Sequence, residues 1–252
     1  MRILVTNDDG IGAAGLDALA GALSRFHDVR VVAPDRERSG VSHAMTLGRP
    51  GRIRKVDERS YSCSGTPSDC VILSRLGAVG FEPELVVSGI NRGPNIGTDI
   101  VYSGTCGAAR QAVISGMPGI AVSCASFEEP LRYEAAAAFV ARNLEGLAAL
   151  CGDDIFINVN APSSSREDLD WAWTFPSRRQ YRDRLSSFEA PDGFSYCFLT
   201  DGAIETSDEP GSDHRAVRSG IISVSAVLVH PQVPPGYPAG LPDGFADQRK
   251  GR

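Results

Sequence analysis

The sequence lacks any apolar run long enough to cross a membrane, and it lacks an excess of basic residues. Its 25 lysines and arginines are outnumbered by 31 acidic residues, which gives a formal net charge of −6. A membrane span needs about 20 consecutive apolar residues, and binding to a nucleic-acid backbone needs a basic surface. We therefore expect no membrane segment and no polynucleotide partner. The start of the chain has no signal-peptide pattern, which predicts a cytoplasmic protein.

Cysteine motifs and nucleotide-binding loops of the common types are also missing. No two cysteines have CxxC spacing, the chain has no GK[ST] of a Walker A loop, and no GxGxxG follows the first strand. The six cysteines are spread at long, irregular intervals, at Cys63, Cys70, Cys106, Cys124, Cys151 and Cys197. This spacing favours reduced thiols over a disulfide framework and argues against a zinc centre.

Short β-branched runs alternate with Ala- and Leu-rich stretches over the first two-thirds of the chain. The predicted strands span residues 2–6, 29–34, 84–90, 119–125 and 155–160. The predicted helices between them span residues 15–26, 65–77, 106–116 and 132–150. Such alternation is typical of βαβ units, in which successive strands lie parallel in one sheet. The sequence therefore predicts an α/β fold.

The rest of the chain has a different character. Residues 35–65 mix charge, glycine and proline, which predicts a long loop with a hairpin in it. Beyond residue 162, aromatic residues lie among turns and charges without a helical period, which predicts β-hairpins that form an arm against another subunit. One more strand is predicted at 220–229, followed by a mobile tail. We expect one domain over 1–252, with a core at 1–162 and a β-rich extension at 163–252.

Four oxygen-bearing side chains follow the first three long strands. Asp8 and Asp9 come directly after the first strand, Ser39 lies in the loop after the second, and Asn91 follows the third. In parallel α/β sheets, ligands bind at the carboxyl ends of the strands. Two carboxylates, a hydroxyl and an amide oxygen suit a hard divalent cation such as Mg²⁺, Mn²⁺ or Ca²⁺. The alternative is that the stretch NDDG is only a turn, because these residue types favour turns.

A second candidate site lies where a small-residue helix begins. Ser103, Gly104 and Thr105 open this helix, and the free N–H groups of a helix start form an anion site. The alternative is that the serine and threonine only cap the helix. Asn7 and His43 are candidates for residues that support the site. His43 is also a candidate general acid, with a hydrogen bond inside its own loop as the alternative.

Five blocks of the sequence resemble one known family. These blocks are MRILVTNDDGI, VVAPDRERSGVSHAMT, GTPSDCV, LVVSGINRGPNIGTDIVYSGTCGAAR and, more weakly, DHRAVRSGIISVS. Together they resemble the SurE family of stationary-phase survival proteins, which are metal-dependent nucleotidases. The resemblance covers about residues 1–125 and fades toward the carboxyl terminus. There Ile221 stands where the family usually has tyrosine.

The resemblance implies a fold, an activity and a set of site residues. The fold is a Rossmann-like three-layer α/β/α sandwich with a mainly parallel sheet and a C-terminal β-rich extension that mediates dimers or tetramers. The activity is hydrolysis of nucleoside 5′- and 3′-monophosphates. The implied metal ligands are Asp8, Asp9, Ser39 and Asn91. The implied phosphate contacts are Asn95, Ser103, Gly104 and Thr105.

Our leading hypothesis is therefore a phosphatase of nucleoside monophosphates that uses one divalent cation in each subunit. Water would attack the phosphoryl group directly, or a carboxylate of Asp8 or Asp9 would form an aspartyl-phosphate. A first alternative is a regulatory protein that binds nucleotides without turnover, because a fold does not fix a function. A second is a glycosyltransferase-like enzyme that holds a nucleotide sugar through the metal.

Overall fold

Strands and helices alternate along the first two-thirds of the chain, as the sequence predicts. The computed structural model describes residues 1–232. Its first seven strands are β1 (Arg2–Thr6), β2 (Asp28–Pro34), β3 (Ile53–Lys55), β4 (Ser60–Cys63), β5 (Leu85–Arg92), β6 (Gly119–Cys124) and β7 (Ile155–Ala161). The helices among them are α1 (Ala14–Leu23), α2 (Pro67–Arg75), α3 (Asp99–Tyr102), α4 (Gly104–Ile114) and α5 (Glu134–Leu150). All five predicted strands and four predicted helices of this part are present.

Nine strands form one sheet in the order β3-β4-β2-β1-β5-β6-β7-β11-β8, in which β8 is Trp171–Thr174 and β11 is Ile222–Leu228. The pairs from β4 to β7 are all parallel. Strands β3 and β11 run antiparallel to β4 and β7. The strand order reverses at β1, which has β2 on one side and β5 on the other. This reversal places a ligand crevice at the carboxyl ends of β1 and β5.

Helices cover both faces of the sheet, because each face is apolar. On one face, Leu16 and Leu19 of α1 and Phe139 of α5 belong to the larger hydrophobic core. On the other face, Val71 of α2 and Ala108 of α4 pack on the sheet. Burying a leucine or phenylalanine side chain contributes roughly 1.5–3 kcal/mol. The arrangement confirms the predicted three-layer α/β/α fold with a mainly parallel sheet.

Side-chain caps fix where two helices of the second layer begin. At α2, Thr66 accepts a hydrogen bond from the Asp69 N–H at 3.2 Å, and Asp69 accepts one from the Thr66 N–H at 2.8 Å. At α4, the Ser103 hydroxyl accepts from the Cys106 N–H at 3.1 Å. Such caps satisfy N–H groups that have no partner inside the helix. The cap of α4 matters most, because this helix starts beside the crevice.

The C-terminal part contributes to the main sheet and also forms a separate hairpin. Strands β8 and β11 extend the sheet beyond β7. Strands β9 (Arg179–Glu189) and β10 (Ser195–Thr206) pair antiparallel as a two-stranded hairpin, and the short helix α6 (Asp213–Arg218) precedes β11. The division of the chain at residue 162 stays a prediction. The predicted mobile tail, apart from residues 231 and 232, lies outside the described residues.

Two expectations from the composition concern membrane spans and disulfides. The longest helix of residues 1–232, α5, has 17 residues, and no helix in that range combines the length and hydropathy of a membrane span. All six cysteines carry free thiols. This confirms the prediction that they form no disulfide framework.

Candidate active site

A closed turn follows β1 and presents the two neighbouring carboxylates. The fully buried Asn7 closes this turn, since its side-chain N–H₂ donates to the Gly10 carbonyl at 3.1 Å and its oxygen accepts from the Gly10 N–H at 3.2 Å. Gly10 has a φ of +98°, and a Cβ there would lie 3.0 Å from the backbone of Arg36. The turn therefore needs glycine at this position.

Asp8 lies against the start of α4 and is only 4% exposed. One carboxylate oxygen accepts a hydrogen bond from the Gly104 N–H at 3.0 Å, and the other accepts from the Thr105 hydroxyl. Burial raises the pKa of Asp8, although the bonds from Thr105 and Gly104 oppose that rise. A Cβ on Gly104 would lie 2.9 Å from Asp8 and from Val41, so only glycine fits there. The positive end of the helix dipole partly balances the carboxylate charge.

Asp9 reaches the end of β5, which carries Asn91, because β1 and β5 are neighbouring strands. The Asp9 carboxylate accepts from the Arg92 N–H at 3.1 Å. Burial, and then the charge of Asp8, raise the pKa of Asp9 to about 6. The Asn91 side chain donates to the Gly93 carbonyl at 2.9 Å, and its oxygen lies 3.5 Å from the Thr105 hydroxyl. Thr105 therefore lies between an Asp8 oxygen and the Asn91 oxygen.

One cavity of about 220 Å³ is lined by five of the predicted site residues: Asp8, Ser39, Asn91, Asn95 and Ser103. Ser39 reaches it from the loop after β2, where its hydroxyl donates to Glu37 at 2.8 Å. The lining does not include Asp9. A larger cavity of about 770 Å³ beside α5 contains none of the predicted site residues.

Basic residues compensate the two carboxylates poorly: the charge of Arg92 lowers the pKa of Asp9, but less than burial and the charge of Asp8 raise it. Within residues 1–232, no arginine, lysine or histidine forms an ion pair with Asp8 or Asp9. Two adjacent carboxylates, one of them buried, are costly to ionise without a nearby positive charge. In the same range, no three His, Cys, Asp or Glu side chains form a metal cluster. A cation here would therefore need oxygens of Ser39 and Asn91 in addition to the carboxylates, and these donors suit a hard divalent ion.

Asn95 is held in the cavity wall from three sides. Its backbone N–H donates to the Asn160 side chain at 2.8 Å, and its carbonyl accepts from Asn158 at 2.8 Å and from Asn160 at 3.1 Å. Its side-chain N–H₂ donates to Ser123 at 2.9 Å. The sequence analysis did not select Ser123, Asn158 or Asn160. The available signal was the alternation of asparagine with apolar residues in the buried strand IFINVN.

The predicted anion site at the start of α4 is filled by a side chain of the protein. The Gly104 N–H and the Thr105 hydroxyl both bind Asp8, and the Ser103 hydroxyl caps the helix. Ser103 therefore caps the helix, which was the alternative to phosphate binding considered for this motif. Of these three residues only Ser103 lines the cavity. The contact between Asp8 and Gly104 could not be predicted from local sequence patterns, because the two residues are 96 positions apart in the chain.

His43 does not line the cavity; its side chain links the loop after β2 to α4. Its Nε2 lies 2.9 Å from the Gln111 side-chain oxygen on α4, and Gln111 donates in turn to Ser115 at 3.1 Å. Burial lowers the pKa of His43, which favours the neutral imidazole. The hydrogen bond therefore joins the loop to α4 and is not formed inside the loop.

Two further acidic residues, missed by the sequence analysis, hold the rim of the cavity. Asp213 is fully buried and accepts from the backbone N–H groups of Gly97 at 2.7 Å and Ser177 at 2.9 Å. Asp99 binds the side chains of Arg179 and Tyr181. These bonds attach the base of the β9–β10 hairpin to the loop that carries Asn95. Both residues lie in blocks of the family resemblance, Asp99 in LVVSGINRGPNIGTDIVYSGTCGAAR and Asp213 at the start of DHRAVRSGIISVS, and that was the available signal.

A family model described as Survival protein SurE matches residues 3–183 of the chain. The chain belongs to the SurE family. This confirms the resemblance found in the sequence, and the match includes every SurE site residue predicted above.

Curated SurE relatives match the chain over most of its length. The relative from Geotalea uraniireducens (strain Rf4) is 44% identical over 89% of this chain and 92% of its own length, and is named 5′-nucleotidase SurE. The relative from Treponema pallidum (strain Nichols) has the same name and is 52% identical over 65% of this chain and 91% of its own. The crystal structure of a SurE protein from Aquifex aeolicus matches with a TM-score of 0.78 and 35% identity, covering 91% of this chain and 94% of that one.

Proposed function

We propose that this chain is a nucleotidase that hydrolyses nucleoside 5′-monophosphates, and 3′-monophosphates as well, to nucleoside and phosphate. The observation that carries the proposal is the pair of neighbouring carboxylates, Asp8 and Asp9, at the carboxyl ends of the strands. Asp8 is buried and lines the cavity, and neither carboxylate forms an ion pair within residues 1–232. The name 5′-nucleotidase SurE, given to relatives that match about nine-tenths of the chain, supports the same activity.

We assign one divalent cation, Mg²⁺, Mn²⁺ or Ca²⁺, to the oxygens of Asp8, Asp9, Ser39 and Asn91. When bound, the cation supplies positive charge that stabilises the developing charge on the phosphoryl group. Thr105 and the Gly104 N–H hold the Asp8 carboxylate in one orientation. Preorganised charge of this kind lowers the barrier because it needs no rearrangement during the reaction.

The remaining residues of the cavity would position the substrate. Asn95 and Ser103 face the cavity and offer a side-chain amide and a hydroxyl to the phosphate. Hydrogen bonds with Ser123, Asn158 and Asn160 restrain Asn95, so little ordering is needed when phosphate binds. Both oxygens of Asp8 already accept hydrogen bonds, which weakens this carboxylate as a nucleophile. Asp9, the other candidate nucleophile, does not line the cavity. Both observations favour direct attack by water over an aspartyl-phosphate.

A phosphate-release screen tests the function. Nucleoside 5′- and 3′-monophosphates are each incubated with the full chain in the presence of Mg²⁺, Mn²⁺ or Ca²⁺, and inorganic phosphate is measured. We expect release from the 5′-monophosphates with at least one of these cations. Binding of a monophosphate without phosphate release under every condition would reject the enzyme and favour the regulatory alternative. Release of a nucleoside diphosphate from a nucleotide sugar would favour the glycosyltransferase.

We also propose that the β9–β10 hairpin joins subunits into a dimer or tetramer, in a cytoplasmic enzyme. The hairpin exposes large apolar side chains at Leu185, Phe188, Phe194, Phe198 and Leu199. The register of the hairpin pairs Leu185 with Leu199 on one face and places Phe188 and Phe198 on the other. Large exposed apolar surface of this kind is typical of protein interfaces. Replacing Leu185 and Leu199 together by serine should lower the mass measured by analytical ultracentrifugation. A chain that sediments as a monomer before the change would contradict the assignment.

A further inference from the structure

Aromatic side chains form the outer wall of the candidate active site. Tyr102, Phe127 and Tyr181 line the same cavity as Asp8 and Asn95. They are 54%, 68% and 37% exposed, so none belongs to the hydrophobic core. The cavity therefore combines a polar inner part with an aromatic rim. A nucleoside monophosphate has the matching shape, with an anionic phosphate at one end and a flat aromatic base at the other.

The ring of Phe127 packs against Gly93, on the β5 side of the cavity. A Cβ at Gly93 would lie 2.1 Å from Phe127 Cε1, so the ring occupies space that any other residue at this position would fill. Gly93 also has a φ of +103°, which favours glycine. The Gly93 N–H donates to the Cys124 carbonyl at 3.0 Å, and Arg92 and Glu129 form an ion pair at 3.4 Å. These contacts hold the Phe127 loop against the end of β5.

The two tyrosines are also held in place at the rim. The Tyr181 hydroxyl donates to Asp99, and the Arg179 guanidinium lies 5.9 Å from the centre of its ring. The carbonyl of Tyr102 accepts from the Ser42 N–H at 2.9 Å, which fixes the end of α3. Among the described residues, neither Phe127 nor Tyr102 stacks on another aromatic ring. Their exposed surfaces are available to a ligand.

We propose that Phe127, with Tyr102 beside it, binds the nucleobase of the substrate by stacking and gives the enzyme a preference for purine nucleotides. This inference rests on the proposed nucleotidase function and names the part of the substrate that the aromatic rim recognises. Stacking accepts any base because every base has a π face. A purine has two fused rings and so makes more van der Waals contacts with a phenyl ring than a one-ring pyrimidine does. Phe127 has no polar atom that could read a base edge. The preference therefore concerns ring size, and either purine should be accepted.

The test compares adenosine 5′-monophosphate with ribose 5-phosphate, which keeps the sugar and the phosphate but has no base. For each enzyme variant, kcat/KM is measured for both substrates, and their ratio reports the contribution of the base. We expect Phe127→Ala to lower this ratio roughly tenfold through a higher KM for the nucleotide, within the range that base–aromatic stacking supports. Phe127→Trp should keep the ratio at or above the wild-type value. The loss for cytidine 5′-monophosphate should be smaller than that for the adenine nucleotide.

Phe26→Ala is the matched control, because Phe26 is 72% exposed and lies after α1, outside the cavity lining. Its ratio should equal that of the wild type. An unchanged ratio in Phe127→Ala would overturn the proposal. So would an equal loss for both substrates, because such a loss would place Phe127 in support of the phosphate site. If the wild-type chain releases phosphate from neither substrate, the nucleotidase function itself fails, and that result is distinct from an unchanged ratio.

Discussion

Asp8→Asn is expected to lower kcat/KM for nucleoside monophosphates by about a thousandfold, a typical loss when one preorganised electrostatic contact to a transition state is removed. Asparagine keeps the size of the side chain, which matters because this side chain packs closely against Gly104. The change removes one negative charge from the proposed cation site. The metal should therefore bind more weakly, and the charge that stabilises the transition state is lost with it.

The same substitution has a smaller effect on folding, which must be measured separately. The Asp8 carboxylate accepts from the Gly104 N–H and from the Thr105 hydroxyl, whereas a carboxamide offers only one oxygen acceptor. One buried donor loses its partner, at a cost of about 1–3 kcal/mol. Thermal unfolding should show a lower Tm with a cooperative transition, and a titration with Mn²⁺ should show weaker binding.

Asp153→Asn serves as the control for the loss of one carboxylate. Asp153 is exposed and precedes β7, at the opposite end of the parallel strands from the candidate site. This variant should keep the wild-type kcat/KM and Mn²⁺ affinity. If Asp8→Asn retains wild-type turnover in a folded protein, Asp8 is neither a metal ligand nor a catalytic group.

The strands of the parallel sheet were the part of the fold that the sequence predicted best. A buried strand is mainly apolar, and it is short and followed by turn residues, so its pattern is local. The predicted strand at 155–160, for example, corresponds to Ile155–Ala161. Strand β8 was not predicted as part of the main sheet. Its four residues, WAWT, join the sheet only by pairing with β11, about 50 residues later in the chain.

The candidate site was predicted in position, but its hydrogen bonds were not. The rule that ligands bind at strand ends brought Asp8, Ser39 and Asn91 together, and they line one cavity. The same reasoning from strand and helix ends also predicted that the N–H groups at the start of α4 would bind phosphate. In the structure the Asp8 carboxylate binds there, because the turn after β1 and the start of α4 meet across the crevice. A contact between two such distant loops depends on the packing of the layers, which a local pattern does not contain.

Removing divalent cations is expected to reduce phosphate release at least a hundredfold, and adding back Mn²⁺, Mg²⁺ or Ca²⁺ should restore it. Asp8 and Asp9 would otherwise face the anionic substrate as two uncompensated negative charges, which repel it. The chain is dialysed against a chelator and assayed with buffered free metal. The same chelator saturated with metal is the control, since it should have no effect. Equal rates before and after complete removal would rule out the metal role.

Metal binding should also weaken as the pH falls, because protons compete for the same carboxylates. Burial and the charge of Asp8 raise the pKa of Asp9 from its ordinary value of 3.8 to about 6. A cation binds this group only after the proton has left, so the affinity for Mn²⁺ should fall about tenfold for each pH unit below about 6. Without metal, the folded state holds this proton more tightly than the unfolded state. The metal-free protein should therefore lose stability as the pH rises from about 4 to about 6.

Calorimetric titrations with Mn²⁺ at pH 7 and pH 5 measure this competition. We expect about a tenfold weaker affinity at pH 5 for the wild-type chain, since one pH unit below the pKa of Asp9 corresponds to a tenfold excess of the protonated form. Asp9→Asn removes one competing proton and leaves that of Asp8, whose pKa burial also raises, so the remaining binding should be less dependent on pH over this interval. If the wild-type affinity is the same at both pH values, the Asp9 carboxylate does not bind the cation.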